Sequence, residues 1–343
     1  MWRLRFPWCM SILNLYLHCG NKGVFMLTRR SVLLLPLLFV FAFQVCSDTT
    51  PYRLFPSLYR KASQNSLPQT VLKAPGSDHA VSIHERIPLL ANNTIVAFYG
   101  HPLSQRMGIL GLHSKEEIAG KVEAFAGYYD QANGKNGAIG AFYIIYGTCW
   151  PGGEIGYLKD SILEEYILYA QQRGMLVFVD HQIGKYSVQE SMERILPFLR
   201  YPNVHLAIDP EWRTLKPMKE IGSITADELN QAQRIMQDYI TAHNIPGIRM
   251  LVVHQFQERM IQDRDLVRAN LDRVLLVHTA DGFGSPEMKR SSYAQNSKAE
   301  NIPLKGFKLF FKSDFPLAGW DNPLLSPTEV MALEPRPGLI IYQ

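Results

Sequence analysis

The chain has 343 residues, of which 47% are hydrophobic and 19% are charged, so it can bury a full core and is not an intrinsically disordered protein. The formal net charge of +4 is small for this length, which gives no support for a nucleic-acid partner. Only four cysteines occur, and three of them lie within residues 1–46, which excludes a disulfide-stapled scaffold.

Residues 1–46 carry the features of an export signal. Arg29 and Arg30 precede an apolar run over residues 32–43, and Cys46 follows that run. About twelve apolar residues are too few for a transmembrane helix, which needs about 20. We therefore predict that the chain is exported.

The leader resembles two known kinds of signal. "TRRSVLL" resembles a twin-arginine signal, and the run that ends at Cys46 resembles bacterial lipoprotein signals, in which this cysteine is lipidated after cleavage. The resemblance implies a cell-envelope protein held to the outer face of the cytoplasmic membrane through that lipid alone. Residues 1–46 are assigned as the leader, residues 47–91 as a proline-containing tether and lead-in, and residues 92–343 as the folded domain. Within the leader, Met26 already begins a complete signal, so the start of the protein is left open between Met1 and Met26.

Short runs rich in β-branched and aromatic residues alternate with amphipathic stretches in the folded domain, which is typical of parallel βα units. Eight such runs occur, at residues 94–100, 139–147, 175–182, 204–211, 250–256, 274–282, 306–311 and 338–343. Eight parallel strands close a TIM barrel, whose usual length is about 250 residues. We predict an α/β fold of this (β/α)8 type with the final helix missing. An open, doubly wound sheet is the alternative architecture.

Helix starts are marked independently of the strands. Four segments place a hydroxyl residue three positions before a glutamate, which is the capping-box pattern, and they begin at Ser114, Ser187, Thr225 and Ser326. The segment before Thr94 is expected to cover the barrel floor or the place of the missing helix.

In a barrel of this kind, functional residues lie at the carboxyl ends of the strands. Polar and aromatic residues gather at those ends in this sequence. We predict that Glu211, Asp209 and Asp180 are catalytic. The predicted substrate-binding residues are His101, Tyr146, His181, Gln182, Trp212, His254, Gln255, His278, Asp281 and Lys308.

The pair of acids that ends the fourth run is the strongest of these signals. Side chains alternate along a strand, so Asp209 and Glu211 are expected to point to the same side as Ala207, into the barrel mouth. Their Cα atoms would be about 6.6 Å apart, and the negative charge of one carboxylate would raise the pKa of the other. The alternative is a structural pair neutralised by Arg213 or Lys216.

Two resemblances bear on function. "IDPE" at the end of a fourth barrel strand resembles chitinase-type glycoside hydrolases, in which the glutamate protonates the leaving oxygen. The segments "LAIDPEW", "IGSITADELNQA", "VVHQF", "HTADGFG" and "GFKLFF" resemble a family of bacterial secreted lipoproteins that have a glycoside-hydrolase-like barrel and no assigned activity. This second resemblance spans about residues 94–343 and implies the barrel fold and the envelope location.

The leading hypothesis is a hydrolase that cuts a polysaccharide, with Glu211 as general acid and Asp209 orienting it or the substrate. One alternative is a non-catalytic lipoprotein that binds a carbohydrate or peptide at the same mouth. Another is a metal-dependent hydrolase that uses histidines from separate strand ends. No cofactor and no metal site are predicted.

Two further side chains have competing interpretations. Cys149 is either a nucleophile or, as we favour, a small apolar filler. Lys308 either forms a Schiff base, binds an anion, or belongs to a solvated basic rim together with Lys305 and Lys312.

Overall fold

The computed structural model describes residues 88–343, with the exception of residues 270 and 316–317. The predicted leader with Cys46, and all but the last few residues of the predicted tether, lie outside the described residues, so these assignments stay predictions. In the part of the chain that the structure describes, no helix combines the length and the apolar character needed to cross a membrane.

Eight parallel strands form a closed barrel, as predicted. Each pairs with the strand before it and the strand after it, and the first pairs with both the second and the last. The ring therefore has no open edge between these eight strands, and the doubly wound alternative is wrong. The strands are β1 (Asn93–Gly100), β2 (Gly137–Cys149), β3 (Leu176–Gln182), β4 (Val204–Asp209), β5 (Arg249–Gln255), β6 (Val274–Ala280), β7 (Leu304–Leu309) and β8 (Leu339–Tyr342).

Helices fill the connections between the strands, with one exception. The connection from β5 to β6 contains two short 3-10 turns among its described residues, Glu258–Met260 and Arg264–Leu266, and no α-helix. The α-helices are α1 (Pro88–Asn92), α2 (Lys115–Ala132), α3 (Asp160–Gln172), α4 (Val188–Ile195), α5 (Ala226–Ala242), α6 (Pro286–Ser297) and α7 (Pro327–Met331).

All four predicted capping boxes are present. In each, the hydroxyl accepts a hydrogen bond from the backbone N–H of the glutamate three residues on, and the glutamate carboxylate accepts from the backbone N–H of the capping residue. Two otherwise unpaired backbone donors are satisfied at each helix start. The motifs therefore fix where α2, α4, α5 and α7 begin.

Alternate residues of the strands fill the barrel interior. Apolar side chains such as Ile95, Phe178 and Val252 form one buried cluster there. Leu89 and Leu90 of α1 pack against the same cluster. Because α1 leads directly into the amino end of β1, it covers the barrel floor, as expected for the segment before Thr94.

Two short additions build up the carboxyl side of the barrel. Residues Ile155–Tyr157 pair antiparallel with the end of β2 and form a hairpin. Ile224–Thr225 pairs with Ile261–Gln262 and joins the connection after β4 to the connection after β5. The side of the mouth next to these connections is thus held by backbone hydrogen bonds.

The cap of α5 gives a direct test of this local structure. Replacing Thr225 by alanine removes the acceptor for the Glu228 N–H, so the free energy of unfolding should fall by about 1 kcal/mol in urea titrations. Thr241→Ala is the control, because this exposed threonine lies inside the same helix, away from the cap. Equal losses in the two variants would contradict the assigned cap.

Candidate active site

Charged side chains line the interior at the carboxyl ends of the strands. Asp180 of β3, Asp209 of β4, His254 of β5 and Lys308 of β7 are buried, and so is Asp281, which follows β6. Every second side chain of a strand points into the barrel. These inward positions hold apolar residues toward the amino ends of the strands and the charged residues at the carboxyl ends. We call Asp180, Asp209, Glu211 and Asp281 the acidic cluster.

Glu211 joins the acidic cluster through a turn and not, as predicted, through the alternation of side chains along β4. β4 ends at Asp209, and Pro210–Trp212 forms a 3-10 turn, so strand alternation does not extend to Glu211. The turn keeps the two acids together, because the Glu211 N–H donates to Asp209 Oδ1 at 3.3 Å. Glu211 is partly exposed whereas Asp209 is buried, so Glu211 lies at the solvent edge of the cluster.

Burial and mutual repulsion keep three of the four acids protonated to a higher pH than usual. Burial, reinforced by the Asp209 charge, raises the pKa of Glu211 to about 9. Burial likewise raises the pKa of Asp209 to about 7 and that of Asp180 to about 6. Glu211 therefore carries a proton at neutral pH. The expected rise is confirmed, although burial contributes more to it than the neighbouring charge.

Asp281 is the ionised member of the acidic cluster. Burial opposes its charge, but Lys308 and His254 outweigh burial and hold the pKa of Asp281 well below its ordinary value. Its Oδ2 accepts from Lys308 Nζ and from His254 Nδ1, each at 3.0 Å, and its Oδ1 accepts from the Gly282 N–H at 2.7 Å. The interior thus holds one fixed anion beside three acids that can carry protons.

A tyrosine extends this network. Tyr143 Oη lies 2.6 Å from His254 Nε2. The His254 ring therefore joins the Tyr143 hydroxyl on one side to the Asp281 carboxylate on the other. Burial raises the pKa of Tyr143 well above its ordinary value, so this hydroxyl stays neutral.

A second tyrosine holds Asp180. Tyr99 Oη donates to Asp180 Oδ2 at 3.0 Å, and the Lys308 ammonium lies 4.1 Å from the centroid of the Tyr99 ring. Among the described residues, Asp180 Oδ1 has no hydrogen-bond partner. One oxygen of Asp180 is thus held by Tyr99, and the other is buried without a partner.

Sequence reasoning did not place Tyr143 in the site, because it lies within an apolar run of β2. A signal was present, however. Tyr143 is paired in register with Tyr99 on the neighbouring strand, and both side chains face the interior. Two tyrosines at matched positions of adjacent strands could have indicated a polar layer.

Three predicted site residues lie on the outer face of the barrel. His181 packs its ring against Tyr157, with ring centroids 5.7 Å apart. His278 Nε2 and Gln255 Oε1 are 2.7 Å apart and lie beside the turn that contains Arg264. Each of these residues is one position away from an inward-facing one, so strand alternation turns it outward. The structure does not bring these three side chains to the acidic cluster, contrary to the prediction that His278 lies in the mouth with the acids.

The other predicted binding residues take varied positions. Tyr146 is an outward bulge residue whose hydroxyl donates to Asp160 Oδ1 at 2.6 Å. Gln182 Oε1 accepts from the Cys149 N–H at 2.7 Å and holds the end of β2. His101 and Trp212 are partly exposed on segments that follow β1 and β4, so they remain candidates for substrate contact.

The interpretations of the lysines and of Cys149 are now resolved in part. Lys308 and Lys305 are buried, so they do not form a solvated rim. Burial works against the Lys308 charge, but Asp281 and the other acids raise its pKa, which disfavours a Schiff base because that needs a neutral amine. Cys149 is buried with its Sγ 3.7 Å from the Thr214 carbonyl oxygen, and burial raises the pKa of its thiol, which fits the filler interpretation.

A surface depression of about 410 Å³ lies beside the mouth, on the connection from β4 to α5. Its lining includes Arg213, Glu228 and Gly222, and none of the acidic cluster. The Arg213 guanidinium is paired with the Glu228 carboxylate at 2.6 Å, and the Gly222 N–H donates to the Glu211 carbonyl at 2.7 Å. A residue that lines the depression therefore holds the turn that carries Glu211, but the carboxyl groups of the acidic cluster do not line it.

Three side chains could in principle share a metal ion. Asp209, His254 and Asp281 offer ligand atoms within 4.8 Å of one another. His254 could bind a metal only by giving up its hydrogen bond to Tyr143 or to Asp281, and the ion would lie near the Lys308 ammonium. The arrangement therefore fits a proton-carrying network better than a metal centre.

Comparisons with known proteins add the following. No protein-family model matches the chain, and no curated protein matches its sequence. The resemblance to a lipoprotein family therefore stays a prediction.

Among solved structures, the chain is similar to oxaloacetate acetylhydrolase in complex with oxalate, with a TM-score of 0.45 and 12% identity over 73% of this chain and 75% of that one. It is similar to 2,3-dimethylmalate lyase, with a TM-score of 0.43 and 13% identity over 76% and 78%. It is also similar to a GH18 chitinase from Flavobacterium johnsoniae, with a TM-score of 0.40 and 9% identity over 73% and 86%. At these values the similarities carry no information about the reaction of this chain.

The raised pKa of Glu211 predicts a pH dependence of stability. Between the ordinary pKa of 4.5 and the folded value of about 9, the folded chain holds a proton that the unfolded chain has released. This contribution is present at low pH and is lost as pH rises. In urea titrations from pH 5 to pH 9, the free energy of unfolding should therefore fall less steeply with pH in Glu211→Gln than in the parent. The two slopes should differ by up to about 1.4 kcal/mol per pH unit.

Exposed Glu193→Gln is the control for that experiment and should follow the parent. Equal pH slopes in Glu211→Gln and the parent would show that Glu211 does not hold a proton in the folded state.

The metal alternative has its own test. We expect the purified chain to contain less than one equivalent of zinc, manganese or iron by elemental analysis. Thermal unfolding should not shift when a chelator is added, because Lys308 already neutralises Asp281. A bound metal at one equivalent that is lost in Asp209→Asn would contradict this expectation.

Proposed function

We propose that this chain hydrolyses glycosidic bonds in a polysaccharide, with Glu211 as the general acid. One observation carries the proposal: Glu211 lies at the solvent edge of the acidic cluster, where burial and the charge of Asp209 raise its pKa to about 9. A glycosidic oxygen leaves readily only when it is protonated as the bond breaks. A carboxylic acid that keeps its proton at neutral pH, and that the solvent can reach, is suited to supply that proton.

Asp209 positions the acid. Its Oδ1 accepts the Glu211 N–H, which ties the turn to the end of β4, and its charge contributes to the raised pKa of Glu211. We assign Asp209 the role of orienting Glu211 or the substrate.

Asp180 is the best candidate for the second carboxylate of the reaction. It comes from the adjacent strand β3, and Tyr99 holds one of its oxygens while the other has no partner among the described residues. Asp281 is less suited to this role, because Lys308, His254 and the Gly282 N–H already occupy its oxygens.

The reaction can be written with these groups. Glu211 gives its proton to the leaving oxygen as the bond from that oxygen to the anomeric carbon breaks. A water molecule forms the new bond to this carbon and passes its proton to ionised Asp180. Asp180 then releases its proton to solvent and Glu211 takes one up from solvent, which restores both groups.

The charge of the interior suits this reaction. Positive charge develops on the sugar in the transition state of glycoside hydrolysis. Fixed negative charge close to it stabilises that state more than the neutral substrate. Asp180, which is ionised above its pKa of about 6, supplies such a charge, and the Tyr99 hydroxyl holds it in place.

The leader supports a location for this activity. We propose export to the cell envelope with lipid attachment at Cys46, which would place the barrel where polysaccharides of the envelope or the surroundings are within reach. The non-catalytic alternative, a lipoprotein that only binds a surface carbohydrate or peptide, is retained as an outcome of the experiment below.

Glu211→Gln tests the proposal. The chain starting after Cys46 should release reducing ends from at least one of glycol chitin, carboxymethyl cellulose, xylan and peptidoglycan glycan strands. The variant should lose about 100-fold or more of that activity, because an amide cannot donate the proton. Parent activity should also fall as pH rises past about 9, where Glu211 ionises.

Glu220→Gln is the matched control, since Glu220 is an exposed glutamate on the same connection and pairs with Lys216. It should keep the parent rate. Full activity in Glu211→Gln would contradict the assigned acid, and binding without release in both the parent and the variant would favour the non-catalytic alternative.

A further inference from the structure

The exposed aromatic side chains of the described residues all follow the carboxyl ends of barrel strands. They are Trp150 and Tyr157 after β2, Phe283 after β6 and Trp320 after β7. A single exposed apolar residue is ordinary, whereas apolar residues gathered on one part of a surface mark an interaction site. Their distribution therefore marks the rim of the mouth as a contact surface.

Trp150 has a fixed position with an open surface. It is 57% exposed, and its indole lies against Gly156 in the hairpin that extends β2. A Cβ placed on Gly156 would lie 2.1 Å from Trp150 Nε1, so the ring can occupy this position only because residue 156 is glycine. The hairpin is closed by the hydrogen bond from the Trp150 N–H to the Glu154 carbonyl, at 2.7 Å.

Phe283 is held in the same way. It is 54% exposed, and its ring lies against Gly319. A Cβ on Gly319 would lie 2.1 Å from Phe283 Cζ and 2.2 Å from both Cε atoms. Phe310 supports the ring further, with centroids 5.9 Å apart and an interplanar angle of 76°.

The two rings stand on opposite sides of the mouth. Trp150 follows β2 and Phe283 follows β6, and these strands are four positions apart in a ring of eight. The acidic cluster lies in the interior between them. A ligand that contacts both rings therefore crosses the mouth above the interior that holds these acids.

We propose that Trp150 and Phe283 are stacking platforms for sugar units on either side of the bond that is cut, so that the substrate is a polymer cleaved at internal bonds. This inference rests on the proposed hydrolase function. The C–H face of a sugar ring packs on the face of an aromatic ring, and a rigid ring loses little conformational entropy when it binds. One platform alone would serve an enzyme that trims chain ends, whereas two opposed platforms serve a chain that continues in both directions.

The experiment uses Trp150→Ala and Phe283→Ala in the chain that starts after Cys46. Each should raise KM for the polymer that the parent cleaves by about tenfold, with a smaller change for its disaccharide derivative. The parent should lower the viscosity of glycol chitin or carboxymethyl cellulose before many reducing ends appear, as internal cleavage requires. Leu168→Ala is the control, because Leu168 is an exposed apolar residue on α3, 47% accessible, and should leave these values unchanged.

Two glycine variants separate ring position from ring chemistry. Both variants keep the two aromatic residues. The added methyl group displaces the Trp150 ring in Gly156→Ala and the Phe283 ring in Gly319→Ala. Only the exposed end of a side chain has to move, so thermal unfolding should be close to that of the parent. KM should nevertheless rise as it does in the alanine variants of the rings.

The outcomes distinguish this inference from the hydrolase proposal. Parent cleavage with unchanged KM in Trp150→Ala and Phe283→Ala would overturn the platforms and leave the hydrolase proposal standing. Release of sugars from chain ends without loss of viscosity would overturn internal cleavage. No hydrolysis, with the parent retarded by polymer in affinity electrophoresis and the ring variants not retarded, would overturn the hydrolase proposal and support the platforms. Neither hydrolysis nor retardation with any of the four polymers would overturn both.

Discussion

The buried ion pair between Lys308 and Asp281 is the interaction on which the chemistry of this barrel depends. A charge taken out of water without a partner costs several kcal/mol, and here the ammonium and the carboxylate oxygen are 3.0 Å apart in the interior. The hydrogen bonds from His254 and the Gly282 N–H complete the shell of Asp281. One acid is thereby fixed as an anion, and the three others hold protons to a higher pH than they would in water.

The closed barrel brings these groups together and sets their environment. Each strand sends alternate side chains inward, so residues distant in sequence form one polar layer above an apolar core. The same alternation turns His181, Gln255 and His278 to the outer face, where they serve packing and hydrogen bonds between strands and connections. The 3-10 turn after β4 then places Glu211 at the solvent edge of the acidic cluster, where it is partly exposed.

The interior and the rim complement each other. In the proposed hydrolase function the acidic cluster supplies the proton donor, and the rim carries aromatic rings that rest on glycines and keep a surface open. Because β2 and β6 face each other across the ring, the rings lie on both sides of the cluster. An extended sugar chain would satisfy both features at once, whereas a small soluble ligand would use only the interior.

The sequence by itself determined the eight strands, four helix starts and the pair of acids at the end of β4, because periodicity and capping are local properties of the chain. Only the tertiary structure decided which polar groups meet. Tyr143 lies in an apolar run, and Lys308 is 27 residues from Asp281, so neither partnership is visible along the chain. The side of the barrel wall to which a side chain points depends on strand pairing and on the bulge at Tyr146, and burial, which raises the pKa of Glu211, exists only after the barrel has closed.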